Sequence, residues 1–247
     1  MRFDGKVVIV TGAGKGIGRA VAVAFGREGA LVVCNSLSNS GKEIVGSVLD
    51  LQRSLFVEGD VSEPTTAERV VGETVRRFGR IDILFNNAGV VIPGDLESTT
   101  AFEWDKTMSI NAKSVYLMSS RALPYLVSSR GTIINNASSV ALTGVVARLA
   151  YTASKGAVLS MTRSMAVDCL KYGIRVNCIC PGTVDTPSLH DRVAQQGDRD
   201  QALDTLIRRQ PMGRLGTPEE IAEGVLYLAG AAFCTGTCLT VDGGMTG

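Results

Sequence analysis

The segment VVIVTGAGKGIG, residues 7–18, decides the fold class because it joins a short apolar run to a glycine-rich turn and a helix-forming stretch. We predict a strand over Lys6–Val10 and a helix over Lys15–Arg27. Glycines let the backbone approach a phosphate closely, and a helix N-terminus supplies free N–H groups and a positive dipole end. The spacing differs from G-x-G-x-x-G, so the turn alone favours a nucleotide site without deciding it. The key glycines are Gly12, Gly16 and Gly18.

Apolar runs alternate with helix-length segments along the rest of the chain, which predicts βαβ units and a parallel sheet. The further predicted strands are Leu31–Asn35, Ser54–Glu58, Asp82–Phe85, Thr132–Ala137, Ile174–Cys180 and Cys238–Val241. The further predicted helices are Gly41–Leu51, Thr65–Phe78, Ala101–Ser109, Asn111–Val127, Tyr151–Lys171 and Pro218–Leu228. We expect one α/β domain over residues 1–247, doubly wound and Rossmann-type, with a seven-stranded parallel sheet and helices on both faces. The polar segment 185–215 lacks the strand pattern and is expected to form a mobile lid.

Composition excludes several classes of function. The chain has 247 residues, 45% hydrophobic and 20% charged, which is typical of a globular protein. Its net charge of +1 gives no bulk electrostatic case for binding nucleic acid or an anionic membrane. We find no signal peptide or apolar run of membrane-spanning length, so we expect a soluble cytoplasmic protein. The six cysteines are expected to be free thiols, and with His190 as the only histidine we expect no metal site.

The end of the second predicted strand bears on the choice of cofactor. An Asp or Glu at this point usually binds the ribose 2′-hydroxyl of NAD, but no acidic residue occurs between Leu31 and Lys42. Lys15, in the glycine turn, could meet a 2′-phosphate, although it could equally be a solvated surface lysine. The sequence therefore favours NADP(H) and leaves NAD(H) possible.

Tyr151 and Lys155 lie four residues apart on a predicted helix and share one of its faces. An adjacent ammonium would stabilise the phenolate and lower the tyrosine pKa, so the pair could exchange a proton with an alcohol oxygen. Taken alone, the pair could also be a surface tyrosine and a solvated lysine. Ser138 follows the fifth predicted strand, where it could orient a substrate oxygen, and Ser139 competes for that role. Asn111 could anchor a water relay or merely cap a helix.

In this order the motifs resemble those of the short-chain dehydrogenase/reductase family along essentially the whole chain. The matching motifs are T-G-x-x-x-G-x-G at Thr11–Gly18, the pair Asp60-Val61, N-N-A-G at Asn86–Gly89, Y-x-x-x-K at Tyr151–Lys155 and P-G at Pro181-Gly182. The resemblance implies that Tyr151 is the catalytic acid and base, and that Lys155 lowers its pKa and binds the nicotinamide ribose. It also implies that Ser138 holds the substrate oxygen and that Asn111 supports a water chain. The expected reaction is hydride transfer between a nicotinamide cofactor and a secondary alcohol or ketone.

The resemblance further implies a cofactor-binding set and an oligomer. The expected cofactor-binding residues are Gly12, Lys15, Gly16, Ile17, Gly18, Asn35, Ser36, Asp60, Val61, Asn86, Ala88, Gly89, Tyr151, Lys155, Pro181, Gly182, Val184 and Thr186. Family members are commonly tetramers that pair the helices corresponding to Asn111–Val127 and Tyr151–Lys171. We therefore expect a homotetramer, or a homodimer.

The segment PGTVDTPSL, residues 181–189, is similar to the cytosolic 3-hydroxybutyrate dehydrogenase branch, which also includes sugar-acid dehydrogenases. In that branch arginines hold a substrate carboxylate, and the counterparts here would be Arg148, Arg192 and Arg209. Two differences from that branch weaken the inference that this chain shares its exact substrate and its preference for NAD. Ser36 stands where the branch typically has an acidic residue, and the segment between serine and tyrosine is shorter here.

Three functions remain open. The first is a dehydrogenase or reductase of a small hydroxy or keto acid, and the expected partner is that small molecule. The second is a 3-oxoacyl-(acyl-carrier-protein) reductase or another bulky-ketone reductase, which needs a basic docking patch for which Arg130 and Lys171 are the candidates. The third is a non-catalytic dinucleotide sensor or scaffold, which the intact set of proton-transfer residues disfavours.

Overall fold

The computed structural model describes residues 1–47, 49–195 and 197–247, and its strands form one parallel sheet. The strands are β1 (Val7–Thr11), β2 (Leu31–Ser36), β3 (Ser54–Glu58), β4 (Ile83–Asn86), β5 (Thr132–Asn136), β6 (Arg175–Pro181) and β7 (Cys238–Val241). Their order in the sheet is β3-β2-β1-β4-β5-β6-β7. The winding direction reverses between β1 and β4, which opens a crevice at the carboxyl ends of the strands.

Helices cover both faces of this sheet. They are α1 (Gly16–Arg27), α2 (Ser40–Ser47), α3 (Pro64–Phe78), α4 (Ala101–Met108), α5 (Ser114–Ser129), α6 (Leu149–Cys169), α7 (Pro187–Val193), α8 (Arg199–Ile207) and α9 (Pro218–Gly230). A π-helical turn, Ser109–Lys113, joins α4 to α5. Short 3₁₀ turns cover Ser139–Ala141 and Leu170–Tyr172.

The central strand β1 is buried on both faces, which explains its continuous apolar run. Val8 and Val10 belong to a core with Phe25 of α1 and helix α9, whereas Ile9 faces α3 and α5 on the opposite side. This alternation follows from the two-residue period of a strand. Each fully buried aliphatic side chain stabilises the sheet by about 1.5–3 kcal/mol. The sheet is therefore a firm base for the residues that follow its carboxyl ends.

The structure confirms the predicted α/β fold with a seven-stranded parallel sheet and shifts most element ends by one or two residues. The helix predicted over Gly41–Leu51 is observed as Ser40–Ser47, and residue 48 lies outside the described residues. Ala101–Ser109 and Asn111–Val127, predicted as separate helices, are joined through the π-helical turn. The expected lid, 185–215, contains α7 and α8, whose first turns are capped by Thr186 and Asp198. Its mobility stays a prediction.

Candidate active site

The glycine turn after β1 forms a cradle that has no room for larger side chains. Gly12 and Gly16 adopt positive φ angles of 62° and 55°, which favour glycine. A Cβ at Gly18 would lie 2.2 Å from the Gly12 carbonyl oxygen, and one at Gly12 would lie 2.8 Å from the Ala88 Cα atom. The α1 N-cap residue, Lys15, makes no side-chain capping hydrogen bond, and the first turn has no acidic residue. The turn therefore presents backbone N–H groups and a positive dipole end, which suit a phosphate.

A first cavity of about 450 Å³ extends from this turn across the ends of β2, β3 and β4. We call it the nucleotide cleft. Twelve of the residues expected to bind the cofactor line it, namely Gly12, Lys15, Gly16, Ile17, Gly18, Asn35, Ser36, Asp60, Val61, Ala88, Gly89 and Thr186. The cradle and this lining fit an extended phosphate-bearing ligand.

Asn86, which the sequence placed at the cofactor, does not line the nucleotide cleft. It is the last residue of β4, and its amide nitrogen donates to Asn135 Oδ1 at 2.9 Å and to Ser119 Oγ at 3.1 Å inside the protein. Asn87 lines the cleft instead, because successive side chains at a strand end point in opposite directions. The Asn87 amide donates to the carbonyl oxygens of Thr11 and Gly12 at 2.9 and 3.2 Å. Asn87 thereby holds the glycine turn against the end of β4. The N-N-A-G motif contains both asparagines, and the prediction chose the first of them.

The end of the nucleotide cleft beside β2 is lined by hydroxyl groups and one ammonium. Ser36 Oγ donates to the Ser38 carbonyl oxygen at 2.5 Å and accepts from the Gly41 N–H at 3.2 Å. Ser38 and Lys15 also line this region. Lys15 Nζ lies 3.3 Å from Asp191 Oδ2 of α7, and both side chains are exposed. Such a pair is weak enough for another anion to displace.

A second cavity of about 210 Å³ adjoins the nucleotide cleft, and both share Ile17, Thr186 and Ser188 in their linings. We call it the reaction cavity. It is lined by all five expected substrate-binding residues and by three further residues expected to bind the cofactor: Ser138, Arg148, Tyr151, Arg192, Arg209, Pro181, Gly182 and Val184. Folding thus gathers side chains that are widely separated in sequence.

Tyr151 and Ser138 both line the reaction cavity, and their side chains are close enough to interact. Burial raises the pKa of Tyr151, and the Ser138 hydrogen bond and the positive charges of Arg192 and Arg148 oppose that rise. Ser139 Oγ instead lies 3.2 Å from Met245 Sδ. Of the two serines the sequence left open, Ser138 is the one placed against the phenol.

Lys155 is buried outside the linings of both cavities, near the Tyr151 ring and near Gly89 of the nucleotide cleft. Its Nζ atom is 5.8 Å from the ring centroid, and it donates to the Asn136 carbonyl oxygen at 2.6 Å. A Cβ built at Gly89, in the cleft, would be 3.6 Å from Nζ. Burial lowers the pKa of Lys155 to about 8. The expectation that this amine lowers the pKa of Tyr151 stays a prediction, because the groups that lower it in this structure are Ser138 and two arginines.

Asn111 lies in the π-helical turn between α4 and α5, an irregularity that often marks a functional position. Its Oδ1 atom accepts from the Val90 N–H at 2.8 Å, and its Nδ2 atom donates to the Val90 carbonyl and to Ser154 Oγ, both at 2.9 Å. Ser154 in turn donates to the Tyr151 carbonyl oxygen at 2.7 Å. Asn111 therefore fastens the segment after β4 to helix α6, while its part in a water chain stays a prediction.

The three arginines concentrate positive charge in the reaction cavity. Burial and the charges of Arg192 and Arg209 together lower the pKa of Arg148. Arg148 Nη1 donates to the carbonyl of Ala147 at 2.6 Å, and Ala147 itself has a strained φ of 53°. None of the described residues that line this cavity is an aspartate or a glutamate. An anion bound there would relieve the mutual repulsion of the guanidinium groups.

Comparisons with known proteins agree with this geometry. A family model described as "Enoyl-(Acyl carrier protein) reductase" matches residues 12–246. An uncharacterized oxidoreductase from Thermotoga maritima is 44% identical over 251 residues, covering 100% of this chain and 99% of the relative. The dehydrogenase/reductase SDR family member 6 of Aquarana catesbeiana is 40% identical over 247 residues, covering 98% of each chain. The chain belongs to the short-chain dehydrogenase/reductase family.

A solved structure of ligand-free aldohexose dehydrogenase from Thermoplasma acidophilum also matches, with a TM-score of 0.90 at 35% identity, covering 99% of this chain and 95% of that one. The protein is accordingly an oxidoreductase of CH–OH groups that uses a nicotinamide dinucleotide. The cradle and the nucleotide cleft described above suit such a dinucleotide. In the described ranges, no helix has both the length and the apolar character needed to cross a bilayer.

Proposed function

We propose that this enzyme interconverts a small hydroxy acid and the corresponding keto acid with NADP(H). The observation that carries the proposal is the convergence of Arg148, Arg192 and Arg209 on the cavity that also holds Ser138 and Tyr151. Guanidinium groups bind carboxylates through paired, charge-assisted hydrogen bonds. One end of the cavity thus suits a carboxylate and the other an alcohol or carbonyl oxygen.

Tyr151 is the proton-transfer group of the proposed mechanism. In reduction its hydroxyl gives a proton to the substrate carbonyl oxygen, and in oxidation its phenolate takes the proton of the alcohol. Ser138 donates a hydrogen bond to the same oxygen and orients it. The nicotinamide, when bound, supplies or accepts the hydride at the substrate carbon. Pro181, Gly182 and Val184, which line the reaction cavity, would hold the nicotinamide there.

Lys155 binds the ribose of the cofactor and places a positive charge beside the phenol. Its closeness to Gly89 in the nucleotide cleft and to the Tyr151 ring supports both roles. Asn111 positions helix α6 through Val90 and Ser154 and supports a water chain behind Lys155. The proton released or taken up by Tyr151 passes along that chain to solvent.

The preference for NADP(H) rests on the end of the nucleotide cleft beside β2. Ser36 occupies the position where an acidic residue would bind the two ribose hydroxyls of NAD. The hydroxyls of Ser36 and Ser38 and the ammonium of Lys15 line this end and suit a 2′-phosphate. The phosphate would replace Asp191 as the partner of Lys15.

Observations on the fold weaken the alternatives. Arg130 and Lys171, the candidates for docking an acyl carrier protein, precede β5 and β6 and so lie at the amino edge of the sheet, opposite the reaction cavity. A neutral sugar, as the aldohexose dehydrogenase likeness would suggest, gives no reason for three arginines at the site. A dinucleotide sensor would have no use for a tyrosine and a serine that share a cavity beside the nucleotide cleft.

The proposal includes a homotetramer, a cytoplasmic location and a lid over 185–215. Exposed apolar side chains on α4, α5 and α6 support an interface between copies of the chain, among them Phe102, Tyr116 and Val167. Light scattering tests the tetramer through the mass in solution. The proposal of a lid is supported by Arg192 of α7 and Leu206 of α8, because both side chains line the reaction cavity.

A substrate and cofactor screen tests the proposed function. Absorbance of the reduced nicotinamide is followed with NADP(H) and NAD(H), each with hydroxy acids, sugar acids, neutral sugars, diols and acyl thioesters. We expect the highest kcat/KM with a small carboxylated substrate and NADP(H), and a marked loss when the carboxylate is converted to its methyl ester. Equal or higher kcat/KM for neutral sugars or acyl thioesters would overturn the substrate assignment.

A further inference from the structure

Three cysteine sulfurs meet where strands β6 and β7 pair, although no metal site was expected from the sequence. Cys178 and Cys180 alternate along β6, so their side chains share one face of the sheet. Cys238 begins the neighbouring strand β7 and is paired in register with Cys178. The cluster is not apparent from the sequence, because Cys238 is distant in the chain from Cys178 and Cys180 and reaches them only through the pairing of β6 with β7.

The geometry of the three sulfurs suits coordination of a single ion. All three Sγ atoms lie within 4.8 Å of one another, and those of Cys180 and Cys238 are 2.7 Å apart. Three metal–sulfur bonds of about 2.3 Å in a trigonal arrangement hold the sulfurs about 4.0 Å apart, so the Cys180 and Cys238 side chains must rotate away from each other by about 1.3 Å on binding. Cys178 and Cys180 are fully buried, whereas Cys238 is partly exposed and offers an entry route. A disulfide would use only two of the three thiols.

Apolar side chains surround the three sulfurs. Val115, Val158 and Leu159 pack against the cysteines. Such surroundings suit a soft ion held by sulfur better than a hydrated cation held by oxygen.

We propose that Cys178, Cys180 and Cys238 form a binding site for Cu(I). Soft thiolates select this ion, and it accepts three sulfur ligands without a fourth. A structural zinc site takes four ligands, but among the described residues only these three ligand-bearing groups gather here. On binding, sulfur–copper bonds form and the ligating thiols release their protons to solvent, with no change in oxidation state.

Occupancy of this site reaches the catalytic residues through the backbone. Cys180 directly precedes Pro181, which lines the reaction cavity. The carbonyl oxygen of Ile179 on its other side accepts a hydrogen bond at 2.9 Å from the N–H of Ala137, the residue before Ser138. Drawing Cys180 into a copper–thiolate cluster therefore shifts the end of β6 and the backbone that holds Ser138. We therefore expect bound Cu(I) to inhibit turnover without competing with the cofactor.

Anaerobic titration of the full-length protein with Cu(I) tests this proposal. The readouts are the copper content per chain and the ultraviolet thiolate-to-copper charge-transfer band, which require no substrate and so stand apart from the proposed function. We expect one Cu(I) per chain, retained in Cys234→Ser, a cysteine outside the cluster that serves as the matched control. We expect the affinity for Cu(I) to be at least about tenfold weaker in Cys238→Ser and in Cys178→Ala. Two cluster variants are used so that the test stands even if one of them does not fold.

Other outcomes would overturn the copper assignment. One is that the protein binds one Zn²⁺ per chain and no Cu(I). Another is that the control variant and the cluster variants bind copper equally well. A third is that the mass of the purified protein is lower by two hydrogens, which reveals a disulfide. Inhibition is scored separately, as a fall in kcat of the copper-loaded enzyme with the dissociation constant of the dinucleotide unchanged. A copper-loaded enzyme with unchanged kcat would refute the coupling to Ser138.

Discussion

Replacing Arg209 by alanine removes one of the three positive charges that line the reaction cavity. Arg209 is partly buried, and its charge contributes to the lowered pKa of Arg148. A hydrogen bond to a charged group is worth about 1.5–3 kcal/mol, and partial exposure places Arg209 toward the lower end, about 1.5–2 kcal/mol. At about 1.4 kcal/mol for each factor of ten, KM for a carboxylated substrate should rise about 10- to 30-fold.

The adjacent residue provides a matched control for this prediction. Arg208 is exposed, pairs with Asp204 at 2.7 Å and lies outside the reaction cavity. Steady-state kinetics of Arg209→Ala and Arg208→Ala are compared with a carboxylated substrate and with its methyl ester. We expect Arg208→Ala to behave as the wild type with both, and Arg209→Ala to lose affinity only for the carboxylate. A similar rise in KM for the acid and the ester would rule out a carboxylate contact by Arg209, and so would equal effects of the two variants.

Three further predictions concern the neighbouring residues. Burial lowers the pKa of Lys155 from about 10.5 to about 8, so the unfolded chain binds more protons than the folded protein between these values and stability rises with pH there. Lys155→Met should therefore raise the thermal midpoint of the cofactor-free protein below about pH 8, and the increase should shrink toward pH 10.5. If the difference in thermal midpoint between variant and wild type does not change with pH, Lys155 does not carry a buried charge. Lys15→Ala should weaken NADPH binding by about three- to tenfold and leave NADH binding unchanged in fluorescence titrations, given the exposure of this side chain; equal losses for both cofactors contradict a contact with the 2′-phosphate. Ser138→Ala should lower kcat by about 10²–10³-fold, while Ser139→Ala should stay within about threefold of the wild type. The reverse order would show that Ser139 orients the substrate oxygen.

The fold could be predicted from the sequence because its signals are local. β1 reads as an apolar run since both of its faces are buried, and Pro181-Gly182 marks the end of β6. The reaction-cavity residues were also predictable, since Ser138 and Tyr151 lie near element ends at the carboxyl edge of the sheet. The arginines required a resemblance, because a single arginine in a sequence has no periodicity that separates a ligand from a solvated side chain.

What could not be predicted depends on pairing between distant segments. The meeting of Cys238 with Cys178 follows from the register of β6 with β7, which no local pattern specifies. The choice between Asn86 and Asn87 depends on where β4 ends, and an error of one residue reverses the direction of a strand side chain. The helices of residues 185–215 were missed because α7 and α8 are short and their periodicity is weak.

In the proposed reaction the Tyr151 phenol transfers the proton in the reaction cavity, which adjoins the nucleotide cleft. Tyr151→Phe removes only the hydroxyl and keeps the ring beside Lys155. The decisive experiment is single-turnover reduction of the best substrate from the screen, with the dissociation constant of the dinucleotide measured on the same sample. We predict a rate lower by about 10²–10⁴ with cofactor affinity essentially unchanged. A rate close to that of the wild type would contradict the account.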